Sequence, residues 1–444
     1  MPDVERRALH LLVPDVDSRT ILATADGALP RLDVELETGE TTVLGGRRAL
    51  LATWGVAPPI LEIQFDLEVA QEDLGADGVP TLLAFEAPPD GWSPPVGLVW
   101  RPLGDPDPDV ADGLRPWLAR LLAERRASVP PPPLRPRWAR SGWYERATTW
   151  MGAQLAEMGR PPIGPIEQVR HWGISALMRV DTAGGRVWFK AVFPGFAHEP
   201  VVSQLLHDRC RGAVTPVLAI DAEEGWLLLD DVGADILADH PEHDAAAVRR
   251  LVEIQRAFVD RTDELVGVGC RHRPFGALAQ ELATVLADPT VLEHVELTAS
   301  RTTELVVWVD AAATELADLP YPDTLVHGDF HPGNVHVVDG EPVLIDWSDA
   351  AISHPLVDTL TWKDWFPDEP ERTAGVWDAF VEAWADVCPV ADVTRLRPQL
   401  EGVIAAYHTV SYAGIVIELE GPRRVEHADG LQSFLAHLDA AVPR

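Results

Sequence analysis

Residues 327–337, HGDFHPGNVHV, gather His327, His331 and His336 around Asp329 and Asn334. His327 and His331 are four apart, so on a helix they would share a face and offer two imidazoles to a metal. Pro332-Gly333 stops a helix from continuing there. Asp, Asn, Pro and Gly also favour turns, and the string taken alone reads as one. A third reading comes from what lies at fixed distances. Asp329 and Asn334 are five residues apart, and twelve residues after Asn334 the apolar run VLIDW places Asp346. The segment VHVVDGEPVLIDW (335–347) reads as a hairpin turning at Asp339-Gly340, which would bring Asn334 and Asp346 together. Their oxygens suit one or two magnesium ions, with Asp329 facing a hydroxyl. Such a set fits phosphoryl transfer, where a protein supplies positioning and charge neutralisation rather than covalent chemistry.

The basic residues sharpen this. The chain has two lysines, Lys190 and Lys363, and every other Lys/Arg position is arginine. Arginine is a wide planar fork and lysine a compact point charge, so they differ where a phosphate oxygen must be met. Lys190 lies in RVWFKAV, an expected strand following a Gly-Gly turn.

HGDFHPGNV, then LIDWSDA, then HPLVD resemble the aminoglycoside phosphotransferase and choline kinase-like family, a small-molecule branch of the protein-kinase fold. The resemblance covers about residues 138–444. It implies that Asp329 is the catalytic base or hydroxyl-orienting carboxylate. It implies that Asn334 and Asp346 bind Mg2+, that Asp358 holds the loop and that His327 is structural. Lys190 falls where the family's nucleotide lysine sits, and Glu199, nine residues on, resembles the helix glutamate that pairs with it. RHWGISALMRV lacks the GxGxxG of protein kinases, leaving Ser175 and nearby amides as the phosphate contacts. LLLDDVG is the expected hinge, with the backbone of Leu229 to Asp231 reading the base of ATP or GTP. For the acceptor, the helices after Asp346 offer Asp349, Trp362, Lys363 and Trp365, with Asp364, Tyr407, Tyr412, Glu418 and Glu420 nearby. Aromatics beside carboxylates suit a cationic, amine-bearing or sugar-like molecule.

The elements that must position these residues are legible from periodicity. SVPPPPLRPR (128–137) excludes helix and central strand and reads as a stiff linker. Before it, residues 1–127 read as a small α+β domain, with strands at 8–15, 20–27, 61–69 and 81–88 and a helix through Leu114–Leu122. Its element order resembles a Nudix-type domain, with 38–55 where that family's helix falls, but the metal-binding glutamates are missing. After the linker, 138–236 reads as a strand-rich lobe: a helix through Trp143–Met158, three strands in 166–194, a helix from Glu199 and a strand at 226–233. Residues 237–444 read as a helical lobe, with helices at 244–260, 303–317, 377–387, 400–419 and 431–442 around the central hairpin. The expected class is therefore α+β, a bilobal protein-kinase-like fold behind a small N-terminal domain.

Composition bounds the partners. Seventy acidic against 36 basic residues give a net charge of −34, which disfavours nucleic acid and anionic membranes. Three scattered cysteines carry no disulfide or zinc spacing. No secretory leader or apolar run of membrane-spanning length is evident, and a cytoplasmic location is expected. The expected activity is Mg2+-dependent transfer of the γ-phosphoryl of ATP or GTP to a small polar hydroxyl compound. A nucleotide-binding regulatory module without turnover is the alternative, and a metal hydrolase built on the histidines a further rival.

Overall fold

In the computed structural model, residues 5–17, 19–65, 79–104, 110–127, 130–366 and 368–443 are described. The chain divides into two compact units, residues 1–191 and 192–444.

The first unit begins with alternation. On strand β1 (Arg6–Leu12), Leu9 and Leu11 face one side and Leu12 the other. With β3 (Arg31–Glu35), β4 (Ile60–Phe65) and β5 (Val79–Phe85) it forms a sheet of order β3-β1-β5-β4, in which β1 and β5 are parallel and the other pairs antiparallel. A helix covers each face. Helix α1 (Thr42–Trp54) contributes Val43 and Leu50 beside Leu83 and Phe85. It approaches so closely that a Cβ on Gly46 would sit 3.1 Å from Leu83. Helix α2 (Arg115–Ala127) lays Trp117, Leu118, Leu121 and Leu122 over Leu12 and Leu82 on the opposite face. A separate ribbon pairs β2 (Thr20–Thr24) with β6 (Leu98–Pro102). The end of the strand expected at 61–69, residues 66–69, lies outside the described residues.

From Pro130 onward the proline-rich stretch is held in place. The buried Arg135 guanidinium reaches Glu62 at 3.1 Å and Glu124 at 3.0 Å. Helix α3 (Trp143–Glu157) follows, then β7 (Glu167–His171), β8 (Ser175–Thr182) and β9 (Gly185–Val192). The Gln168 side chain mimics a strand partner, accepting from Ile60 N at 2.9 Å and donating to Ile60 O at 3.0 Å. It thereby ties β7 to β4.

The second unit starts with α4 (Glu199–Arg209), Pro200 occupying its first turn, where a missing N–H is harmless. The hairpin β10 (Val217–Asp221) and β11 (Trp226–Asp230) follows. The remainder is mostly helical: α5 (Asp244–Phe258), α6 (Phe275–Val285), α7 (Ala299–Leu316), α8 (Thr361–Trp365), α9 (Pro370–Ala383), α10 (Arg397–Glu418) and α11 (Val425–Ala441). They share one large apolar core. Among the described residues α10 alone is long and apolar enough to cross a membrane, but 72% of that apolar window is buried within the protein, as in a core helix. Two small sheets interrupt the helices. One pairs β14 (Val335–Val338) with β15 (Glu341–Leu344), and the other has the order β12 (Arg271–His272), β16 (Ala351–Ser353), β13 (Thr324–Val326). The expected α+β class is what the structure has.

Candidate active site

Two strand pairs close the site at both ends. Val326 pairs with Ala351 where β13 meets β16, and Val335 pairs with Leu344 where β14 meets β15. The loop 327–334 and the segment 345–350 are therefore held side by side. The β14–β15 turn is the expected Asp339-Gly340, both with positive φ (51° and 82°), as a tight type I′ hairpin requires. Ile345 N donates to Asn334 O at 3.0 Å, extending the ladder to the residue before Asp346. Across the loop, Gly328 has φ 81°, and a Cβ there would meet Asp349 O at 2.2 Å. Only glycine fits.

Asp358 anchors the loop from below. It is fully buried, and its Oδ1 accepts from Gly328 N (2.7 Å) while Oδ2 accepts from His327 N (3.0 Å) and Gln255 Nε2 (3.2 Å). Burial pushes this carboxyl up to about 7 against the pull of its three N–H donors. Gln255 also donates to Pro355 O at 2.9 Å and accepts from Trp384 Nε1 at 3.2 Å.

Two of the three motif histidines, His327 and His331, bond within the loop and to the adjoining segment 345–350. His327 Nε2 meets Ile345 O at 2.9 Å, which requires a proton on that nitrogen, so Nδ1 accepts from Asp329 N at 3.4 Å. Burial keeps its pKa below the ordinary histidine value. His331 Nδ1 accepts from Gly333 N at 3.1 Å, and its Nε2 lies 3.4 Å from Asp329 Oδ2. Every ring nitrogen of this pair has a partner in the loop or in the adjoining segment 345–350, which leaves no lone pair aimed at a shared metal.

Asp329 sits where these contacts converge. Asn334 Nδ2 donates to its main-chain O at 3.0 Å and to Oδ2 at 3.3 Å. Burial alone would raise the Asp329 pKa. The hydrogen bond from His331 leads the contributions that outweigh this and hold it below the usual carboxylate value. Asp346, exposed, has φ 61°, a left-handed conformation rare outside glycine. Ser348 Oγ donates to Asp346 Oδ1 at 2.6 Å and lies 3.4 Å from Asp349 Oδ2.

Asn334 commits its amide N–H to Asp329, which turns its carbonyl oxygen into the available ligand atom beside Asp346. Oxygen donors, few in number, suit Mg2+, which retains waters and phosphate oxygens rather than filling a protein cage. Among the described residues no cluster of three or more His, Cys, Asp or Glu side chains is arranged to hold a metal ion alone. The residues fit magnesium.

The other expected residues fall as follows. Lys190 is buried on β9, and Ser175 is buried at the start of β8, where its carbonyl accepts from Trp172 N at 2.8 Å. Glu199 is buried in the first turn of α4. Leu229 is half-buried on β11, and Asp231 is exposed just beyond it. Of the acceptor candidates, Trp362 is 0% exposed among Phe330, Phe366 and Phe380 and is a core residue, out of reach of a substrate. Trp365, three residues on, is 43% exposed and stacks on His331 at 4.5 Å. The side chains of Lys363 and Asp364 lie outside what the structure describes. Asp349, Tyr407 and Glu418 line one cavity of about 40 Å³ with Phe193, Phe196 and Arg273, room for a few water-sized groups. Arg273 is buried there against Glu281 (2.8 Å) and Ser411 (2.6 Å).

Sequence reasoning missed Gln255, Ser348 and Arg273. Gln255 had a signal: it lies with Leu251, Ile254 and Phe258 on the apolar face of α5, where an amide needs a partner. Ser348 and Arg273 had none.

Residues 200–397 match the model of a family described as the phosphotransferase enzyme family. No curated protein matches the sequence significantly. Among solved structures the chain is similar to a macrolide 2'-phosphotransferase type I (18% identity, 67% of this chain and 97% of that chain, TM-score 0.44). It is similar to choline kinase LicA from Streptococcus pneumoniae (14% identity, 66% and 99%, TM-score 0.46). It is also similar to the GDP and kanamycin complex of APH(2")-IIia (14% identity, 66% and 98%, TM-score 0.46).

Proposed function

From the match of residues 200–397 to the model of the phosphotransferase enzyme family and from the geometry of the loop, we propose that the chain is a Mg2+-dependent small-molecule kinase. It transfers the γ-phosphoryl group of ATP or GTP to a hydroxyl of a small polar compound carrying amine or sugar groups. The observation that carries this reading is the convergence of Asp329, Asn334 and Asp346 through two strand registers fixed at 326/351 and 335/344.

Asp329, held ionised, accepts the hydrogen bond of the acceptor hydroxyl and takes its proton as the new P–O bond forms and the bond from the γ-phosphorus to the β,γ-bridging oxygen breaks, releasing the nucleoside diphosphate. Asn334 and Asp346 would hold the magnesium, which supplies neutralisation of phosphate charge. The family resemblance implies nucleotide-phosphate contacts at Lys190 and at Ser175 with its neighbouring amides, and the role of the lysine's helix glutamate for Glu199. The backbone from Leu229 to Asp231 reads the base. On the acceptor side, Asp349 and the exposed face of Trp365 are the contacts, and Glu418 extends the set beside Asp349, while Tyr407 is buried beneath Arg273. Carboxylates flanked by aromatic rings favour a protonated amine.

The test is nucleotide consumption with a panel of aminoglycosides, amino sugars, choline and related alcohols, for wild type beside Asp329→Ala. Acceptor-dependent turnover lost in the variant is expected, and full activity in Asp329→Ala would refute the mechanism. Bound nucleotide with no acceptor-dependent turnover would favour the regulatory-module alternative.

A further inference from the structure

His331 has two ring nitrogens with different partners. Nδ1 accepts from Gly333 N at 3.1 Å, so in the neutral ring the proton lies on Nε2, which is 3.4 Å from Asp329 Oδ2. The ring plane is fixed by the stacked indole of Trp365, at 4.5 Å and 20°. That indole also comes so close to Gly333 that a Cβ there would be 2.7 Å from it. Asn334 Nδ2 approaches the same Oδ2 from the other side at 3.3 Å. Both donors thus converge on one oxygen of Asp329. Among the described residues no further group bonds to Oδ1, the oxygen left for an incoming hydroxyl.

We propose that His331 is a positioning residue for Asp329: clamped by Trp365 and Gly333, its Nε2–H pins Oδ2 and thereby aims Oδ1 at the acceptor. This rests on Asp329 acting as read above. A plainer role would be structural, with His331 serving only to cap the turn 332–334 through Nδ1. The two roles use different nitrogens, so they can be separated. An asparagine at 331 places its side-chain oxygen near the Nδ1 position and keeps the cap, but does not reach Asp329. A glutamine places its amide N–H near the Nε2 position and loses the cap. The Trp365 stack explains why the ring is needed: an aromatic plane is held by an aromatic plane, and a flexible donor at the same distance would spread over several rotamers.

The experiment compares His331→Asn and His331→Gln in steady-state kinetics and thermal unfolding. Misplacing a reacting group by about 1 Å can reduce a rate by ~10²-fold. His331→Asn is therefore expected to lower kcat by about 10- to 100-fold, with nucleotide KM within about 3-fold of wild type and little change in Tm. His331→Gln is expected to retain roughly 10-fold more kcat than the asparagine variant, despite lower stability. Wild-type kcat in His331→Asn, or equal losses in both variants, would overturn the proposal. A readout free of turnover accompanies these: 15N NMR of the imidazole should show the Nε2–H tautomer, with its signal displaced in Asp329→Ala. An Nδ1–H tautomer overturns the proposal whatever the reaction is. Absence of acceptor-dependent phosphoryl transfer in wild type refutes the kinase reading instead, and the tautomer still decides the contact.

Discussion

Replacing Asp358 with asparagine tests how the catalytic loop is held, through the pH dependence of stability. Asp358 is fully buried under three N–H donors, and burial lifts its folded pKa to about 7 from an ordinary 3.8. Between those values the folded chain keeps a proton that the unfolded chain has released. The contribution of this group is therefore complete below the unfolded value and is lost as pH rises toward 7. At about 1.4 kcal/mol per pH unit, the whole span is worth on the order of 4 kcal/mol. An asparagine has no such titration. Its single carbonyl oxygen can satisfy one side of the cradle, and its NH2 then confronts the remaining donors. One or two unmet donors cost about 1–3 kcal/mol each. The sequence pI is near 4.7, so urea denaturation is best followed from pH 5.5 upward. The difference between wild type and Asp358→Asn cancels titrating groups common to both. The variant is expected to be less stable at pH 5.5, and the gap to close by roughly 2 kcal/mol by pH 7. A gap that stays constant over that range would refute the reasoning. It would mean that the three N–H donors outweigh burial and that the carboxylate is ionised throughout.

Further perturbations separate scaffold from chemistry. Gly328→Ala forces a side chain into φ 81° and against the main-chain oxygen of Asp349; a loss of about 2–4 kcal/mol with near-abolition of turnover is expected, read by denaturation and kinetics. Ser348→Ala removes the 2.6 Å bond to Asp346; the magnesium concentration for half-maximal rate should rise several-fold, while stability changes by ~1 kcal/mol or less. Trp362→Ala opens a cavity beneath Phe330 and should cost about 3–5 kcal/mol. Trp365→Ala, at a partly exposed site, should alter stability far less and raise the acceptor KM; the reverse ranking would exchange their roles.

Much of the second unit was readable from local chemistry. The Asp339-Gly340 turn fixes its own geometry through two positive φ values, so the hairpin, and with it the pairing of Asn334 with Ile345 just before Asp346, follows from thirteen residues of sequence. The start of α4 at Glu199-Pro200 is equally local. The tryptophans were not separable, because a five-residue helix puts Trp362 inward and Trp365 outward and no periodicity longer than α8 exists to tell them apart. The proline run reads as a stiff linker. Its anchoring depends on Arg135 finding Glu62 and Glu124, and pairings over 73 and 11 residues leave no trace in composition. The parallel placement of β1 beside β5 is likewise a long-range choice.

The polar groups around the loop fall into two kinds, and the difference indicates where ligands enter. Asp358, His327 and Gln255 are satisfied mainly by main-chain or buried amide partners in places water does not reach. Exchanging those contacts for a ligand would strand a buried donor, an unfavourable trade. Asp329 and Asp346 are bound instead through side chains to His331, Asn334 and Ser348, and both retain exposed surface. These contacts leave the main-chain frame of the loop intact when an incoming phosphate or hydroxyl meets the two carboxylates. The first kind fixes the backbone of 327–334 before any ligand arrives, and the second kind hands its oxygens over. A loop built this way loses little conformational freedom on binding, which is the advantage of preorganisation in a reaction governed by positioning.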